Sequence, residues 1–70
     1  MRETFYSFLD EREPEGDIIE DIFDGEAFLR RTRREVENYV SWYRERGSEI
    51  RIVRVTIEVE VEEKKLLFFY

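Results

Sequence analysis

EAFLRRTRREVENYVSWYRER, residues 26–46, is the stretch whose reading decides the fold. On a wheel at about 100° per residue, Trp42, Phe28, Tyr39, Thr32, Tyr43, Val36, Leu29 and Val40 fall inside an arc of roughly 160°. Glu35 intrudes only near the edge of that arc, and Arg30, Arg31, Arg33, Arg34, Glu37, Asn38, Ser41, Arg44 and Glu45 fill the other side. The spacing predicts one long amphipathic helix over 25–46, about 30 Å in length. Asp24 is placed to cap its start, Gly25 loosens the chain before it, and Arg44, Arg46 and Gly47 mark its end.

Upstream, DIIEDIF at 17–23 predicts a short helix with Asp17 as cap and Ile18, Ile19, Ile22 and Phe23 on one face. Ile19 and Phe23 would point into the polar side of the long helix, so the two pieces break at Asp24 and Gly25. Residues 10–16 carry Pro14 and Gly16 among charges and read as a loop. Residues 3–9, ETFYSFL, fit either period, but their aromatic enrichment favours a strand.

Downstream, Gly47 and Ser48 turn the chain into a strand over 49–62. Val53, Val55, Ile57, Val59 and Val61 alternate there with Arg54, Thr56, Glu58 and Glu60, as on a sheet with one wet face. Ile50 and Ile52 have the opposite parity, which calls for a β-bulge or for a sheet end covered on both faces. A loop around residues 62–65 then leads to a strand over 65–70, apolar on both faces. The expected architecture is α+β and two-layered, β-α-α-β-β, with a three-stranded, mostly antiparallel sheet in the order 2-3-1. Strand 1 runs parallel to strand 2 through a right-handed crossover, and the long helix covers one face only.

Seventy residues make one small α/β domain over 1–70, with 41% of residues apolar and 43% charged. No cysteine or histidine is present, which removes disulfides, thiolate sites and the commonest general base and metal ligand. Ser7, Ser41 and Ser48 therefore have no histidine to activate them, and no glycine-rich phosphate loop occurs. These absences point away from an enzyme and from any cofactor. No apolar run approaches the ~18 residues of a membrane span, and no signal-peptide pattern opens the chain, so a cytoplasmic protein is expected.

The net charge of −6 is unevenly spread. Residues 1–26 hold ten acids and two arginines, whereas residues 27–54 hold eight arginines and four acids. The acidic front is expected to lie against the basic helix. Arg30, Arg33 and Arg34 share a flank that phosphates could meet, but the overall acidity argues against nucleic acid. Asp17, Glu20, Asp21, Asp24 and Glu26 lack the spacing of a calcium loop. Glu13, Glu15, Asp17, Glu20, Asp21 and Asp24 form the candidate interaction surface, since concentrated negative charge steers basic partners. Leu67 and Phe69 form a candidate face for homodimerisation.

These features favour a non-enzymatic acidic α/β protein: an idealised or de novo designed scaffold, or a binding module. The alternative is a natural inhibitor or antitoxin-type protein that binds a basic protein surface as a nucleic-acid mimic. That alternative draws on the untidy segment 10–28, where crowded acids resemble a phosphate backbone.

Overall fold

A computed structural model describes residues 1–63. Their element order is β1 (Arg2–Asp10), α1 (Asp17–Asp24), α2 (Arg33–Glu45) and β2 (Ile50–Glu58). The aromatic run at the front adopts the extended alternative. β1 and β2 pair antiparallel in constant register from Arg2 opposite Glu58 to Asp10 opposite Ile50. Residues directly opposite share a face, so Glu3, Phe5, Ser7 and Leu9 lie with Arg51, Val53, Val55 and Ile57. Tyr6, Phe8 and Asp10 lie on the other face with Arg54, Ile52 and Ile50.

This constant register settles the parity switch in β2. There is no bulge; the sheet is instead covered on both sides at that end. Ile50 and Ile52 face α2, whose Tyr39 ring stands 5.6 Å from Phe8. Val53 and Val55 face the opposite way and share a cleft with Leu9 and with Ile18 of α1. A helix therefore touches each face, not one face alone. Leu9, Val36 and Val40 are at most 2% exposed, and with Ile18 they form the buried apolar core.

The expectation of three strands and one long helix is overturned. Among the described residues the sheet has two strands, adjacent and antiparallel. The strand expected over 65–70 lies outside the described residues. The helix expected over 25–46 begins only at Arg33, because Thr32, not Asp24, is its cap. Thr32 has extended backbone angles, and its Oγ1 accepts the Glu35 amide at 3.3 Å and donates to the Glu35 carboxylate at 3.1 Å. This is the Thr-x-x-Glu pattern of a helix start.

Residues ahead of Thr32 are held in extended form by β1. Tyr6 and Arg30 exchange both backbone hydrogen bonds, at 2.7 and 2.9 Å, as an isolated antiparallel bridge. Phe28, on the same face as Tyr6, stacks on Tyr39 at 4.2 Å and meets Phe8 edge-on at 5.5 Å. The late helix start reverses the sheet. The chain runs up β1, back down past Tyr6 and up again along α2, whose Arg33 end lies by Tyr6 and whose Tyr43 end lies by Phe8 and Asp10. It must then descend through β2. A single helix from residue 25 would have descended instead, leaving β2 parallel to β1.

Both helices stop at glycines in left-handed conformation. Gly25 (φ 74°) ends α1, with the Glu26 amide reaching back to Asp21 O at 2.9 Å. Gly47 (φ 90°) follows α2, with the Ser48 amide on Tyr43 O at 3.0 Å. These are Schellman closures, which a Cβ at either position would strain. At the start of α1, Gly16 occupies the cap without a side-chain bond, and Asp17 is the first helical residue rather than the cap. Its charge favours the positive end of the helix dipole.

Candidate functional site

Eight residues of α1 divide into three stripes at about 100° per residue. Ile18 and Ile22 face the sheet, with Ile18 buried and Ile22 half-buried. Asp17, Glu20, Asp21 and Asp24 fall together in an arc of about 100° on one side. On the other side stand Ile19 and Phe23, one turn apart, 61% and 86% exposed. A two-stranded sheet has too little surface to cover all four apolar residues of a helix this short. Among the described residues the apolar arc of α1 is thus only half covered.

The acids expected to form an interaction surface do not act as one group. Glu13 belongs to the loop: its amide donates to Asp10 O at 2.9 Å, its Oε1 accepts the Asp10 amide at 3.3 Å, and its carbonyl accepts Arg51 Nη2 at 2.9 Å. Glu15 pairs with Arg51 at 3.7 Å. Asp17, Glu20, Asp21 and Asp24 share the stripe on α1 and make no ion pair among the described residues. No group of three acids there is arranged to hold a metal ion. Leu67 and Phe69 lie outside the described residues.

The basic segment is occupied elsewhere. Arg31 pairs with Glu3 and lies over the Phe5 ring at 4.5 Å, while Arg30 covers Phe28 at 3.9 Å. Arg33 binds Glu37 at 2.8 Å, Arg44 donates to Ile50 O at 2.7 Å, and Arg46 covers Trp42 at 3.7 Å. Of the acidic front, only Glu3 reaches the basic stretch preceding α2. Among the described residues the neutralisation expected between the two halves comes down to the ion pairs Glu3–Arg31 and Glu15–Arg51, and no pair forms on α1.

Tyr39, Trp42 and Tyr43 point less inward than the wheel implied, at 45%, 54% and 39% exposed. They pack on one another, with Trp42 edge-on to Tyr43 at 5.0 Å. A hydrogen bond with Tyr39, the charge Tyr39 would carry when ionised, and desolvation together raise the Tyr43 phenol above its ordinary value. Ser7 is 1% exposed opposite Val53, packed in the sheet rather than presented as a nucleophile. The clefts are open. One of about 330 Å³ lies between α1 and β2, and one of about 370 Å³ between the loops at Asp10 and Gly47. No helix is long and apolar enough to cross a membrane among the described residues.

Sequence reading placed Ile19 and Phe23 on one face with Ile18 and Ile22 and did not single them out as exposed. The signal was available: four apolar residues in seven exceed what so short a helix can bury beside so small a sheet. Comparison with protein-family models, curated proteins and solved structures gives no match.

Proposed function

We propose that this protein is a non-enzymatic binding module whose recognition element is α1. The observation that carries this reading is the exposure of Phe23 and Ile19 on a helix whose acidic stripe makes no ion pair among the described residues. Aromatic and aliphatic side chains one turn apart are the anchors by which a helix enters a groove. The acids would meet a basic rim and guide the approach. The partner is a protein surface with an apolar pocket edged by lysine or arginine.

The nucleic-acid-mimic alternative uses the acidic stripe alone, and the arc formed by Asp17, Glu20, Asp21 and Asp24 supports it. The two readings differ in salt dependence, because exposed charge pairs are screened within about 8 Å at physiological ionic strength and apolar anchoring is not. A panel of immobilised lysine-rich peptides, with and without an apolar anchor, provides the test. The expected outcome is retention of the anchored peptides that survives added salt and is lost in I19S/F23S. Retention that ignores I19S/F23S but collapses with salt, or in D17N/E20Q/D21N/D24N, would favour the mimic. Retention of no peptide by the wild type would overturn both, leaving an inert scaffold.

A further inference from the structure

We infer that the outer edge of β2 pairs with the same edge of a second copy of this chain, antiparallel and in one defined register. Met1 and Val59 exchange backbone bonds, and Glu11 donates to Glu49 O, so the odd-numbered residues of β2 direct their amides and carbonyls to β1. The amides and carbonyls of Ile52, Arg54, Thr56 and Glu58 consequently point away from β1. Among the described residues no backbone group pairs with them. Such a row is a template for another strand. The opposite edge of the sheet is interrupted at its centre, where Tyr6 bonds Arg30.

Three features select the register. Arg44 Nη2 already occupies Ile50 O at 2.7 Å, so registers that need this carbonyl are disfavoured. One of those would also set Arg54 directly against the partner's Arg54, which is repulsive. Moving the two-fold axis to Val55 makes no demand on that carbonyl within β2 and takes the two Arg54 side chains out of direct opposition. Ile52 then exchanges bonds with the partner's Glu58, and Arg54 with the partner's Thr56. On one face Val55 meets the partner's Val55 and Val53 meets the partner's Ile57, joining two half-buried apolar surfaces. On the other face Arg54 lies diagonal to the partner's Glu58, within reach of a long side chain. The interface is self-complementary in hydrogen bonding, hydropathy and charge, as a two-fold contact requires. It is independent of α1.

The full chain should show a concentration-dependent monomer–dimer equilibrium by analytical ultracentrifugation. Amide exchange at Ile52, Arg54, Thr56 and Glu58 should slow with rising protein concentration, while Val53 and Val55 stay protected throughout. R54E faces the partner's Glu58 with like charge and should weaken the dimer at least tenfold; because Glu58 also pairs with Arg2 at 3.3 Å across the sheet, R2E/R54E/E58R, which keeps opposite charges at both contacts, should restore most of that loss. A monomer at millimolar concentration would overturn the inference. So would a dimer indifferent to R54E, or protection of the four edge amides that is the same at every concentration.

Discussion

Ten arginines stand against two lysines in this chain, and their placement gives the reason. Arg30, Arg31 and Arg46 stand with Cζ over the rings of Phe28, Phe5 and Trp42 at 3.9, 4.5 and 3.7 Å, contacts in which a guanidinium serves better than an ammonium. Half-exposed aromatic rings are thereby shielded from water. The same surface contains a group whose ionisation responds to folding. Tyr43 is raised by the neighbouring Tyr39, so the fold favours the neutral phenol. The stability this provides is present below the ordinary tyrosine value of about 10 and is lost as pH rises through the higher folded value. A ring-labelled Tyr43, followed by NMR, should titrate above free tyrosine. Y39F should lower its midpoint toward the ordinary value; an unmoved midpoint would remove Tyr39 as the cause.

At the scale of elements, the decisive residue is Thr32. T32A removes a cap that serves one amide and holds one carboxylate, and should cost about 1 kcal/mol in denaturant unfolding. Loss of the boundary should also let helix extend into residues 26–31, visible as a change in secondary chemical shifts there. The C-terminal ends of the helices, the break at Gly25 and the front strand were legible because glycines and aromatic runs act locally. The start of α2 was written locally too, in Thr32 and Glu35, but the wheel overrode it. Phe28 and Leu29 fall on the same arc as Val36 and Val40, and periodicity alone cannot separate a helical neighbour from a residue folded back onto it. What holds residues 28–31 extended is a backbone bridge to Tyr6, and contacts of that range leave no trace in spacing. The direction of β2 followed from that one misplaced boundary. The exposed apolar stripe of α1 was hidden for another reason: a wheel reports which residues share a face, not how much surface is available to cover it.

Over the described residues taken together, few side chains are buried and each matters. Val36 and Val40 of α2 are fully buried. V40A removes two methyl groups and leaves a void, a loss of about 2 kcal/mol. A core of this size rarely supplies more than about 3–5 kcal/mol. The melting temperature should therefore fall by on the order of 10 °C, measured by circular dichroism. A shift of a degree or two would mean that the sheet, not the helix layer, carries the stability.

The pairing of β1 with β2 also fixes a schedule. β1 is synthesised well before β2, so the pairing of Arg2 with Glu58 cannot form until Glu58 has left the ribosome. Closing so long an intervening segment costs entropy before any strand contact repays it. Through most of translation Phe5, Tyr6, Phe8 and Leu9 wait unpaired, and α1 and α2 have no surface to rest on. An apolar strand left waiting in this way is the kind of exposed segment that makes a half-made chain prone to aggregate until its partner strand emerges.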